Sequence, residues 1–129
     1  MSKIVLDTSA WIEYFNGTEK GARVKERIAE EGVGVLITGM IVAELSVKFP
    51  KDSKPIDEMV FALKNMANVV SFDFELGKES AKIYMRQRRL KPKFGLMDAR
   101  VVAAARLNGG KVITCDNDFS NINEAIVIR

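Results

Sequence analysis

Four carboxylates in this chain stand at the edges of apolar stretches, in four separate places. Asp7 closes Lys3-Ile4-Val5-Leu6-Asp7, and Glu44 interrupts Met40-Ile41-Val42-Ala43-Glu44-Leu45. Asp98 opens Asp98-Ala99-Arg100-Val101-Val102-Ala103, and Asp116 follows Val112-Ile113-Thr114-Cys115, with Asp118 two residues on. A carboxylate beside a core is costly, and several brought together repel one another unless a cation neutralises them. Ligands that are all oxygen suit a hard divalent metal. The chemistry implied is metal-assisted work on phosphate esters.

The residue types that are missing narrow this further. The chain has no histidine, which removes the usual general base, the Ser-His and Cys-His nucleophile systems and imidazole zinc sites. Catalysis must then run through carboxylates, hydroxyls, Lys/Arg or a metal. The one cysteine, Cys115, makes no internal disulfide; it is expected to pack in a strand as a small apolar residue, in a reducing, cytoplasmic setting. A length of 129 residues with 47% hydrophobic content fits one domain, residues 1–129, with a proper core. No apolar run approaches the roughly 18 residues of a membrane helix. Met1-Ser2-Lys3 runs straight into an apolar strand, so no secretory signal is expected. The net charge of +3 is mild, and only its distribution bears on partners.

The elements that must position the acids can be read from periodicity. Ile4–Leu6 is a short continuous apolar strand of the kind buried on both faces of a parallel sheet. Thr8 or Ser9 can cap a helix through Trp11, Ile12 and Phe15 that Asn16-Gly17 ends. Glu19–Glu31 is an amphipathic outer helix with Val24 and Ile28 in register. Residues 32–37 form a second strand, and Thr38 caps a helix carrying Glu44 that ends near Phe49-Pro50. Pro55 opens another helix, with Ile56, Met59, Val60, Leu63 and Met66 at helical spacing. A strand at Val69–Phe72, a helix at Glu75–Leu90, a loop at Lys91–Gly95 and a helix at Leu96–Leu107 follow. Lys111–Cys115 and Ala125–Ile128 complete the strands. The alternation predicts an α/β fold, a three-layer α/β/α sandwich around a mostly parallel sheet of about five strands.

In such sheets sites form beyond the carboxyl ends of the strands. Asp7 and Asp116 fall there, and Glu44 and Asp98 lie in the first turns of helices that start at the same edge. Glu44 shares helical rows with Met40, Ile41 and Val47, and Asp98 shares a face with Val102 and Ala105, so both point inward. Blander roles exist: Asp98 as a first-turn acid complementing the helix dipole, Asp7 as a turn or cap residue, Asp116 as a loop acid. Asp118 either joins the metal set or caps the chain before Phe119. Thr8, Ser9 and Thr114 can orient the carboxylates or serve as caps and core hydroxyls.

Val5-Leu6-Asp7-Thr8-Ser9, Ile41-Val42-Ala43-Glu44-Leu45, Leu96-Met97-Asp98-Ala99 and Ile113-Thr114-Cys115-Asp116-Asn117-Asp118-Phe119 resemble the PIN domain signature in order and spacing, over essentially the whole chain. In size the chain looks most like the VapC toxins of toxin–antitoxin pairs. The resemblance implies that Asp7, Glu44, Asp98 and Asp116 form the acidic metal site, with Asp118 a frequent extra member. It further implies Mg²⁺- or Mn²⁺-dependent ribonuclease activity, a homodimer and a small antitoxin partner.

For RNA, Lys78, Lys82, Arg86 and Arg89 are spaced as a basic stripe along one helix, with Arg88, Lys91 and Lys93 nearby. Such a stripe contacts phosphates, or is a solvated or antitoxin-facing surface. Arg100 either approaches a scissile phosphate or is an ordinary surface cation. Aromatic residues are sparse in this stretch, which favours recognition of RNA shape over base stacking. Two other classes compete with the nuclease: a catalytically silent PIN-like binding module acting with a partner in regulation, and a phosphoacceptor receiver domain with Asp73 as acceptor. The receiver reading leaves Glu44 and Asp98 unexplained.

Overall fold

A computed structural model describes residues 2–48 and 55–129; the expected helix end at Phe49-Pro50 lies outside them. The first apolar run forms β1 (Ser2–Leu6). Ile4, Val5 and Leu6 are all buried. Successive strand residues point to opposite faces, so both faces of the sheet are covered here and the domain has three layers.

Helix α1 (Thr8–Asn16) starts directly after β1, and its cap is Asp7 rather than Thr8 or Ser9: the Ala10 N–H donates to Asp7 Oδ1 (3.0 Å). Gly17, at φ 65°, closes the helix in the left-handed region that glycine adopts at no steric cost. Helix α2 (Glu19–Ala29) is capped by Thr18 and buries Gly21 and Val24. A Cβ at Gly21 would meet the Glu13 carbonyl oxygen at 2.0 Å, so the close approach of α1 and α2 requires glycine.

Strand β2 (Val33–Thr38) leads into α3 (Gly39–Lys48), and α4 (Ile56–Met66) leads into the short β3 (Asn68–Val70). The expected strand through Phe72 stops at Val70, because Asp73 caps α5 (Phe74–Gln87) by accepting the Leu76 N–H (2.9 Å). The chain then turns through residues 88–95 into α6 (Leu96–Leu107) and β4 (Lys111–Thr114). A 3-10 turn (Asn117–Phe119) precedes β5 (Ala125–Val127).

All neighbouring strands pair in parallel, in the order β3-β2-β1-β4-β5. Right-handed crossovers put the helices of an outward run of strands on one face and those of the return run on the other. The α1–α4 connections therefore cover one face and the α5–α6 return covers the opposite one, where α6 packs on β1 and β4. The direction reverses between β1 and β4, which makes the crevice beyond Leu6 and Thr114 the topological switch point. The largest fully buried side chains, Trp11, Phe94 and Phe119, lie on elements that border this edge. Asp73, in contrast, follows edge strand β3 and is exposed, so no central strand delivers a phosphoacceptor there. Among the described residues no helix is long and apolar enough to cross a membrane.

Candidate metal centre

The carboxylate of Asp7 is 4% exposed and fully engaged. Ser9 Oγ donates to Oδ1 (2.7 Å), Thr114 Oγ1 to Oδ2 (2.6 Å), and the Ala10 N–H to Oδ1. Burial pushes its pKa from the ordinary 3.8 up to about 6; the bonds from Thr114, Ser9 and Ala10 work against that rise, and the charge of Asp98 adds to it. A rise of this size means that keeping Asp7 ionised in the fold costs roughly 3 kcal/mol. The hydroxyls thus orient the group without making it comfortable as an anion.

The remaining acids surround the same cleft. Asp98, at the third position of α6, accepts the Gly95 N–H (2.9 Å) across its helix start. Its pKa is raised, first by burial and then by the charges of Asp116, Glu44 and Asp118. Asp116 accepts the Asp118 N–H (2.9 Å) and so caps the 3-10 turn, while its own N–H donates to Thr114 Oγ1 (3.0 Å). Glu44 Oε1 accepts a hydrogen bond from Thr8 Oγ1, and Glu44 Oε2 lies 3.9 Å from Lys48 Nζ. The resulting cleft, about 210 Å³, is lined by Asp7, Glu44, Asp98 and Asp116 together with Thr8, Ser9 and Lys48.

The structure therefore brings together all four acids and two of the three hydroxyls, with Thr114 buried immediately behind Asp7. Of the residues expected to share the inward face with Glu44, Ile41 is buried but Met40 and Val47 are exposed, and Ile41 and Leu45 are the buried residues of α3. Glu44 reaches the cleft through the row Ile41-Glu44-Lys48, which borders the buried face. Asp118 is absent from the cleft wall and acts on it through charge and through its N–H. Arg100 also lies elsewhere, with its guanidinium over the Phe72 ring (4.9 Å) and Nε and Nη1 buried without partners. Lys48 is the cleft residue that sequence reasoning missed; its position four residues after Glu44 was the available signal. Cys115 follows β4 half-buried, and burial pushes its thiol up, which suits packing and not nucleophilic use.

The donor chemistry fits a hard divalent cation: only oxygen ligands are available, and two of the four carboxyls are held above their ordinary range by burial and mutual repulsion. As the side chains stand, no three acidic, Cys or His residues among those described are gathered closely enough to hold an ion. Glu44 is turned to Thr8 and Lys48, and Asp98 and Asp116 to backbone N–H groups.

Comparison with known proteins agrees with this arrangement. The family model described as PIN domain matches residues 4–125. The VapC ribonuclease Mb1587 of Mycobacterium bovis is 28% identical over 124 residues, covering 92% of this chain and 90% of its own. A toxin–antitoxin complex from Klebsiella pneumoniae contains a chain of the same fold, with a TM-score of 0.79, 20% identity and 98% of each chain covered. VapC20 of Mycobacterium tuberculosis, described as a sarcin-ricin loop cleaving toxin, superposes with a TM-score of 0.73 at 17% identity, over 98% of this chain and 99% of its own. With the family model matching residues 4–125, nearly the whole sequence, the chain belongs to the PIN domain family.

Proposed function

We propose that the protein is a metal-dependent endoribonuclease, a single nuclease domain acting as the toxin of a toxin–antitoxin pair. The observation that carries this reading is the cleft at the β1/β4 switch point, lined by four carboxylates, with burial pushing the Asp7 carboxyl above its ordinary range. Asp7, Glu44, Asp98 and Asp116 would hold Mg²⁺ or Mn²⁺, with Asp118 as an additional acid near the cleft. When bound, the ion supplies charge neutralisation and Lewis acidity toward water and a phosphodiester. Thr114 and Ser9 fix both oxygens of Asp7, and Thr8 holds Glu44. Lys48 gives the cleft one ammonium group that can face a phosphate oxygen. In-line hydrolysis by water leaves a 5′-phosphate and a 3′-hydroxyl, and the 2′-hydroxyl takes no part.

RNA lies along α5. Lys82, Arg86 and Arg89 are exposed and, among the described residues, unengaged in ion pairs, whereas Lys78 is paired with Glu75 (3.3 Å). Arg88 donates to Tyr84 Oη (2.6 Å) and the Phe94 carbonyl (3.2 Å), so its role is structural. The protein works in the cytoplasm as a homodimer paired with a small antitoxin; toxin–antitoxin complexes among the structures of the same fold support the antitoxin part of this reading.

Cleavage of a mixed small-RNA pool with Mn²⁺, Mg²⁺ or EDTA tests this, using wild type beside Asp7→Asn and Asp98→Asn. Cutting that needs metal and disappears in both variants is expected. Equal cutting by all three proteins would refute the mechanism. The engagement of Glu44 by Thr8 and Lys48 favours one competitor, a silent binding module; metal uptake without cutting of any RNA in the pool would put it first.

A further inference from the structure

Gln87, the last residue of α5, is 5% exposed, an unusual place for a polar amide side chain. Its amide is fully used. Nε2 donates to the carbonyl of Asp118 (3.1 Å) and to Asn121 Oδ1 (2.7 Å), and Oε1 accepts from Asn121 Nδ2 (3.0 Å). The reciprocal pair closes a bridge between helix and loop over more than thirty residues of sequence.

The loop it grips is the one that carries two of the acids. The Asp118 N–H donates to Asp116 Oδ1, so Asp118 is held by α5 through its carbonyl and holds Asp116 through its N–H. Beside this bridge, Phe119 packs edge-to-face on Phe94 (5.2 Å between ring centroids), both rings fully buried, and Arg88 holds the Phe94 carbonyl (3.2 Å). Phe94 in turn precedes Gly95, whose N–H holds Asp98. The C-terminal end of α5 thus fastens both the Asp98 and the Asp116 approaches to the cleft.

We infer that Gln87 is a positioning residue of the metal centre: its bond to the Asp118 carbonyl sets the turn that aims the Asp116 carboxylate into the cleft. The inference rests on the metal-centre reading above. A group that orients a ligand is worth about a tenfold change in metal affinity. A buried amide that only stabilises the loop would change melting and leave the affinity alone.

The test is Mn²⁺ affinity by titration calorimetry for wild type, Gln87→Met, Asn121→Ala, Asp116→Asn and the Gln87→Met/Asp116→Asn double variant, with amide hydrogen exchange of residues 117–121. Gln87→Met keeps side-chain length and loses the donor; it is expected to bind Mn²⁺ about tenfold more weakly and to exchange faster at 117–121. In the Asp116→Asn background the same change should cost nothing further, because the effect runs through Asp116. Asn121→Ala leaves the Gln87 bond to the Asp118 carbonyl in place, changes an exposed residue, and should fall between wild type and Gln87→Met. Wild-type affinity in Gln87→Met, or an equal loss with and without Asp116, would overturn the inference while the metal centre stands. If wild type itself binds no Mn²⁺, the metal-centre reading fails and takes the inference with it.

Discussion

Two clusters of charge in this molecule are built on opposite principles. On the return face, Arg106 of α6 meets Glu124 (2.9 Å) and Glu79 (3.3 Å). Both acids there share one guanidinium: Glu124 is held below the ordinary carboxylate range by its bond from Arg106, and the guanidinium is raised in turn. At the switch-point cleft four carboxylates face a single ammonium, Lys48, 3.9 Å from Glu44, and Asp7 and Asp98 are both pushed up. Compensation marks a cluster that serves the fold. An uncompensated cluster costs stability, and a fold keeps it only for what it binds.

Neutralising one acid of the cleft has the largest expected effect. Asp98→Asn and Glu44→Gln are expected to lower RNA cleavage by about a thousandfold or more, since the metal's share of transition-state stabilisation is several kcal/mol. Single-turnover cleavage of a defined RNA measures this. The second effect is on pH. Protons on Asp7 compete with the cation, so Mn²⁺ affinity should rise about tenfold per pH unit up to about 6 and then level off. Calorimetry between pH 5 and 7.5 checks it, and an affinity flat across that range would contradict the role given to Asp7. Smallest of all is the other cluster. Arg106→Met should cost no more than about 1 kcal/mol, because the pairs are partly exposed, and should leave cleavage unchanged; urea unfolding and the same RNA assay measure the two.

Legibility in the sequence followed the same division. Strands β1, β2 and β4 announced themselves as short apolar runs, and the acids that end or follow them were therefore placed correctly at the carboxyl edge. Asp7 proved to be cap and cluster member at once, which composition had offered as alternatives; a single side chain with two oxygens can take a backbone N–H and still face a cleft. The direction of Glu44 was anticipated for an incomplete reason, since apolar Met40 and Val47 are exposed and periodicity does not tell a buried apolar row from an exposed one. The basic stripe was readable as spacing only as far as Arg86, because α5 ends at Gln87 and leaves Arg89 in a turn, and Lys78 is spent on Glu75. Gln87 and Asn121 carried no local signal, because a reciprocal amide pair exists only once α5 and the loop before β5 have met.

The cleft is an anionic cluster that destabilises the metal-free fold and is relieved by a cation. Burial holds Asp7's pKa above its ordinary 3.8, so the stability that its protonation confers is complete below pH about 4 and is lost as pH rises to about 6. The direct measurement is the melting temperature of wild type and Asp7→Asn at pH 4 and pH 7.5, each with EDTA or saturating Mn²⁺. At pH 7.5 in EDTA, Asp7→Asn should gain on wild type by several degrees relative to pH 4. Mn²⁺ at a hundred times its Kd should stabilise wild type by about 2.7 kcal/mol and leave the variant where it was. A wild type that keeps the same lead over the variant at both pH values, and that Mn²⁺ does not move, would contradict the account.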